Sequence, residues 1–143
     1  MLVLLFMYRY PINNHNNYSL RFVLYTVKKK ILIADDDADI LFVLRLMLEL
    51  HGYSVELAED GKKVYHLISH KPDLVLLDIW MGSYDGREIC QHIKTDPATH
   101  SIPVILLSAS RDIEQSAKDA GADDFVAKPF EQAELLQKIA QYV

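Results

Sequence analysis

The stretch KILIADDD, residues 30–37, decides how this chain folds. Ile31 to Ala34 is a short apolar run with no polar alternation, and it ends abruptly on Asp35, Asp36 and Asp37. The pattern returns three times: Leu74 to Leu77 runs into Asp78, Val104 to Leu107 into Ser108, and Phe125 to Ala127 into Lys128 and Pro129. Strands buried on both faces of a parallel sheet read as continuous apolar runs. Ligands bind beyond the carboxyl ends of such strands. The polar residues that end these runs are therefore expected to converge.

Outward from that stretch, apolar runs alternate with helical periodicity. Strands are predicted at Lys30–Ala34, Ser54–Ala58, Leu74–Asp78, Val104–Leu107 and Asp124–Ala127. Helices are predicted at 38–51, 61–70, 86–94, 112–120 and 131–142. The last is the cleanest, with Leu135, Leu136, Ile139 and Ala140 on one stripe against Gln132, Gln137 and Lys138. Gly52, Pro72, Pro97, Pro103, Gly121 and Pro129 punctuate the joins. Five strand–helix units in this order imply a doubly wound, five-stranded parallel sheet of the α/β class, with helices on both faces. At 143 residues, half of them apolar, the chain can bury one core and has no room for a second.

Residues 1–27 differ from the rest. They hold Arg9 and Arg21 and no acid, so residues 28–143 carry a formal charge of −7 within the chain total of −5. The only cationic run is Lys28 to Lys30, which offers no basic face for direct nucleic-acid binding. The apolar start, Met1 to Tyr8, lacks the charge and small residues of a signal peptide and is too short to span a bilayer. Residues 1–27 are therefore expected to be a poorly ordered N-terminal extension, with initiation near Val27 as an alternative reading, and 28–143 to be the folded domain. Cys90 is the lone cysteine, so no disulfide is available within the chain. It reads as a small buried hydrophobe, in keeping with a reducing cytoplasm.

The strand ends define a chemistry. Asp35, Asp36 and Asp78 would crowd several carboxylates together, which raises their pKa values unless a cation is present. A hard divalent ion such as Mg2+, held by carboxylates and a backbone carbonyl, relieves that conflict and keeps positions for phosphate oxygens. Lys128 and Ser108 could then stabilise charge on a transferring phosphoryl group. Asp78, alone at the end of the central strand, is the natural nucleophile, giving an aspartyl phosphate.

These residues resemble the receiver domain of bacterial two-component response regulators. The resemblance spans about residues 28–143 and rests on Asp35–Asp36, Pro72–Asp78, Ile102–Ser110 (IPVILLSAS), Gly121–Asp124 (GADD) and Lys128–Pro129–Phe130. It implies a flavodoxin-like fold with strand order 2-1-3-4-5 and Asp78 as the phosphoacceptor. It makes Asp36 a direct Mg2+ ligand, Asp35 a ligand through water and the carbonyl of Trp80 a third protein ligand. Ser108 and Phe125 correspond to the family's switch pair, and a cis Lys128–Pro129 bond is expected to aim the lysine inward. The implied partners are a histidine kinase or histidine phosphotransfer protein and an unknown downstream protein. The activity is that of a phosphorelay signalling domain without a separate substrate, not an enzyme, and is read here as a stand-alone, cytoplasmic receiver.

Two departures stand out. Met81 is followed by Gly82 where the family usually has proline, so that loop is expected to be looser. Trp80 places an indole two residues after Asp78, where it is expected to shield a phosphoryl group from water. Asp37 and Asp39 read as N-terminal residues of the first helix, not as ligands. His66 and His70 have zinc-compatible spacing, but no acid or cysteine in the sequence pattern completes a site. The first helix is apolar nearly all round, from Ile40 to Leu50, so part of it is expected to face solvent or a partner, with the leader folding over it as the other reading. A haloacid-dehalogenase-type phosphatase would need an aspartate where Trp80 stands, and a flavin carrier would need a phosphate-cradling loop where three acids stand. A receiver-like module that signals without phosphorylation is the remaining alternative.

Overall fold

The computed structural model describes residues 2–11, 18–110 and 113–143. In chain order the elements are β1 (Leu2–Pro11), β2 (Tyr18–Val27), β3 (Lys30–Ala34), α1 (Ala38–Leu50), β4 (Ser54–Ala58), α2 (Gly61–Leu67) with a 3-10 turn over Ile68–His70, and β5 (Leu74–Asp78). A two-residue ribbon, β6 (Trp80–Met81) and β7 (Tyr84–Asp85), leads into α3 (Gly86–Thr95). β8 (Val104–Ser108), α4 (Ile113–Asp119), β9 (Asp124–Ala127) and α5 (Gln132–Tyr142) complete the chain. Asp112, the expected first residue of the fourth helix, lies outside the described residues.

The sheet is parallel, in the order β4-β3-β5-β8-β9. Counting only its own strands, that is 2-1-3-4-5, the expected winding. Register carries the strand ends to one level: Ala34 pairs with Leu77, Asp78 with Leu107, and Ser108 with Ala127. Backbone hydrogen bonds continue just past the strands, from Asp35 N–H to the Ala58 carbonyl (3.1 Å) and from Ile79 N–H to the Leu107 carbonyl (3.0 Å). The loops therefore leave the sheet in a fixed direction.

Alternate residues of each central strand feed two cores, which is why the runs show no polar alternation. Leu32, Val75, Leu77 and Leu106 pack with Val64, Ile89, Ile93 and Ala117 from α2, α3 and α4. Ile31, Ile33, Leu74, Leu76 and Ile105 pack with Leu41, Leu44 and Leu48 from α1 and Leu135 and Ile139 from α5. Aspartates cap three of the helices. Asp37 Oδ1 accepts from the Asp39 and Ile40 amides, Asp60 Oδ1 from Lys63, and Asp85 Oδ1 from Arg87.

The leader contains two strands. β1 and β2 pair antiparallel in full register from Leu2 opposite Val27 to Pro11 opposite Tyr18. The long leucine- and aromatic-rich runs satisfy each other's backbone groups, a local solution that the missing polar punctuation concealed. Residues 12–17, four of them asparagines, lie outside the described residues. Nor does the ribbon cover the apolar first helix: Phe42, Val43, Leu46 and Leu50 are all more than half exposed.

Candidate functional site

The carboxyl ends of β3 and β5 flank the place where the winding reverses direction, and the acids stand there. Asp35 and Asp78 are buried, at 1% and 7% exposure, and Asp36 is exposed. Asp35, Asp36 and Asp78 each present a carboxylate oxygen within 4.8 Å of the others. Among the described residues no other cluster could hold a metal ion in this way. His66 and His70 lie ring to ring at 5.7 Å. An acid does approach them, since His70 Nδ1 lies 3.0 Å from Glu56 Oε1, yet these side chains do not converge as a ligand set.

Lys128 crosses from the end of β9 into the acidic cluster. Its ammonium donates to Asp35 Oδ2 at 2.6 Å and lies 3.0 Å from Asp78 Oδ1. The Lys128–Pro129 peptide is cis, and Lys128 N–H donates to the Ser108 carbonyl at 2.6 Å. Ser108 is buried at the end of β8, and its Oγ accepts from the Ser110 amide at 3.0 Å. One strand end thus supplies a cation, one a hydroxyl and two the carboxylates.

The electrostatics follow from this crowding. Burial pushes the Asp78 carboxyl above its ordinary value; the Lys128 hydrogen bond and charge pull it back, while Asp35 and Asp36 add to the rise. Burial works against the Lys128 ammonium, but hydrogen bonds and charges from Asp35 and Asp78 outweigh it and hold its pKa above the ordinary lysine value. A divalent cation among the three acids would relieve the same repulsion, so the donor set fits a hard, oxygen-seeking ion.

Phe125 stands two residues earlier on β9 than Ala127, the residue opposite Ser108. Its ring is partly buried against the core below α2–α4, with the Lys138 ammonium 5.5 Å from its centroid. Asp37 and Asp39 serve the start of α1, and Asp37 N–H also donates to Asp35 Oδ1 at 2.9 Å. Cys90 is fully buried, and burial raises its thiol to about 12, which leaves it unreactive.

The loop after Asp78 is pinned where a looser one was expected. Trp80 pairs with Asp85 and Met81 with Tyr84, Met81 is buried, and Gly82 N–H donates to Asp36 Oδ2 at 2.9 Å. Gly82 sits at φ +58. A proline there could neither adopt that angle nor donate that bond, so glycine exchanges one restraint for another. Gly86 was not singled out by the sequence pattern. A Cβ on it would fall 2.1 Å from the Asp78 carbonyl oxygen, and its N–H donates to Ile79 O at 2.6 Å. The signal was a glycine directly after a capping aspartate, where a bare backbone lets α3 begin against the end of β5. Arg87 was also missed; it makes a fork with Asp85 and lies over the Trp80 ring.

The model of the response regulator receiver domain matches residues 31–140, and the chain belongs to that family. Over 113 residues it is 40% identical to the response regulator MprA of Mycolicibacterium vanbaalenii, covering 77% of this chain and 48% of MprA. It is 39% identical to the DNA-binding dual master transcriptional regulator RpaA of Synechocystis, covering 77% and 47%. The chain thus spans about half the length of the curated relatives it matches. Among solved structures it is similar to the response regulator TrrA of Thermotoga maritima in complex with Mg2+ and BeF, at TM-score 0.74 and 31% identity, covering 80% of this chain and 99% of that one. It is also similar to a CheY-like receiver domain protein of Methanospirillum hungatei, at TM-score 0.73 and 30% identity, covering 80% and 93%. Among the described residues no helix is long and apolar enough to cross a membrane.

Proposed function

We propose that residues 28–143 form a receiver that accepts a phosphoryl group on Asp78 from a phosphohistidine on a kinase or phosphotransfer protein. The observation that carries this reading is the convergence of Asp35, Asp36 and Asp78 within 4.8 Å, with Lys128 bridging Asp35 and Asp78. Asp36, Asp78 and the Trp80 carbonyl would hold Mg2+ directly and Asp35 through water; when bound, the ion neutralises charge on the phosphoryl oxygens.

A carboxylate oxygen of Asp78 attacks phosphorus in line. The new O–P bond forms as the P–N bond to the donor imidazole breaks, and the imidazole leaves with that electron pair. Lys128 is free to move its ammonium from Asp78 to a phosphoryl oxygen, because its bond to Asp35 keeps it in the site. Ser108 turns its hydroxyl from the Ser110 amide toward another phosphoryl oxygen, and Phe125 follows into the space beside it. The acyl phosphate so biases an equilibrium between two arrangements of the β8–β9 end, and the output is a change in protein contacts. The formal charge of −7 on residues 28–143 disfavours nucleic acid as the direct partner of this part of the chain. A cytoplasmic location suits the free thiol of Cys90.

The test is labelling by a small acyl phosphate with Mg2+ present. Wild type should take up one acid-stable, base-labile phosphoryl group, and Asp78→Asn or chelation of the ion should abolish it. Uptake by Asp78→Asn equal to wild type would refute the assignment, and no uptake by wild type would favour a module that signals unphosphorylated.

A further inference from the structure

The loop after Asp78 carries a side-chain assembly that the phosphoryl-transfer chemistry does not use. The Arg87 guanidinium lies 5.1 Å from the centroid of the Trp80 indole. Asp85 fixes it there: Arg87 Nε donates to Oδ1 at 2.9 Å and to Oδ2 at 3.1 Å, and Nη2 donates to Oδ2 at 2.5 Å. Nη1 reaches Ser116 Oγ on α4 at 3.4 Å. Asp85 is itself held, as the cap of α3 and as the ribbon partner of Trp80. The cation is thus anchored at both ends of its planar fork, which a flexible ammonium would not be.

The indole is 60% exposed, and few surface contacts hold a ring of that size in place. It lines a cavity of about 230 Å³ together with Ile79, Arg87, Ser108, Ser110 and Ile113. Ile79 follows Asp78 in the chain, and Ser108 ends the neighbouring strand. A water takes roughly 30 Å³ of liquid volume, so this flank of the site has room for several. The ring forms one wall of this space, on the side of the residue that follows Asp78.

We propose that Arg87 is a positioning residue: it fixes the Trp80 indole beside Asp78 and so slows hydrolysis of the aspartyl phosphate. The proposal rests on the phosphoacceptor reading above. An arginine stacked on an exposed tryptophan is worth a modest stabilisation, which corresponds to about a two- to fivefold change in rate when the ring is released.

Trp80 is the only tryptophan, so emission excited on the red edge, where tyrosine does not absorb, reports on that ring alone and needs no phosphoryl group. Arg87→Met, which keeps most of the stem, should change the emission and lower its anisotropy, and Arg87→Lys should lie between. After labelling with a small acyl phosphate and Mg2+ and removal of the donor, Arg87→Met should lose label about two- to fivefold faster than wild type. In a Trp80→Leu background the same substitution should add nothing. Unchanged emission, an unchanged lifetime in labelled Arg87→Met, or an equal acceleration in both backgrounds each overturns the proposal. Failure of wild type to take label at all removes the phosphoacceptor reading and the proposal with it, whereas labelled wild type with an unaltered Arg87→Met lifetime removes the proposal alone.

Discussion

At the scale of single residues, the site combines burial with crowded charge, and both can be probed without a partner. Asp78 holds its proton to higher pH in the folded chain than in the unfolded one. The folded state therefore binds more protons in that window, and stability falls as pH rises through the folded-state pKa. Without divalent ion, Asp78→Asn should raise the melting temperature by a few degrees at neutral pH. That gain should vanish once pH falls below the ordinary carboxylate value of 3.8; parallel urea titrations of the two proteins across pH check this. Added Mg2+ should stabilise wild type more than the variant, by mass action on the folded state. Gly86 supplies a steric counterpart. With a Cβ 2.1 Å from the Asp78 carbonyl, Gly86→Ala must push α3 away from β5, costing about 1–3 kcal/mol and slowing label uptake. A denaturation midpoint like that of wild type would show that the helix start gives way freely. The acids, Ser108 and Lys128 were legible in sequence because each ends an apolar run. Gly86 and Arg87 were not, because their roles arise from contacts between a helix start and a loop that no periodicity records.

At the scale of elements, strand and helix positions were readable because both faces of the sheet are covered, so burial pattern and hydrogen-bond register coincide. The β6–β7 ribbon escaped notice since two-residue strands have no period to detect. Helix α1 shows the limit of reading burial from composition. Its nearly continuous apolar surface predicts that some face is spare, but only packing reveals which. Leu41, Leu44 and Leu48 enter the core, whereas Phe42, Val43, Leu46 and Leu50 do not. Ile40, Val43 and Leu44 also line a cavity of about 600 Å³ with Ala109, Lys128, Pro129 and Phe130, which sets the spare face next to the lysine of the site. If this face receives the phosphohistidine donor, Val43→Glu should leave stability within about 0.5 kcal/mol and leave labelling by a small acyl phosphate intact. Transfer from a phosphorylated donor protein should fall about tenfold or more, the effect of 1.4 kcal/mol at a contact. Leu48→Ala makes the contrast: as a core truncation it should cost about 2–5 kcal/mol and impair both reactions together.

At the scale of the whole molecule, the chain divides by where its apolar side chains go. Every buried apolar residue of the two described cores lies at Ile31 or beyond. The β1–β2 ribbon instead leaves Leu5, Phe6, Met7, Phe22 and Leu24 all more than half exposed. A lone two-stranded ribbon is marginal in water, and its two unpaired edges invite association with other chains. Composition marked residues 1–27 as different but gave no means of telling an unpaired leader from one that pairs with itself, since both lack a core. We propose that residues 28–143 fold independently of them. Removing residues 1–27 should then leave the melting temperature within about 2 °C of the full chain, the shift expected from a few tenths of a kcal/mol. Label uptake at Asp78 should be unaffected, and light scattering on heating should diminish as exposed apolar surface and strand edges are lost. A fall of many degrees would mean that the ribbon supports β3 through Lys28 and Lys29, and would move the domain boundary to the start of the chain.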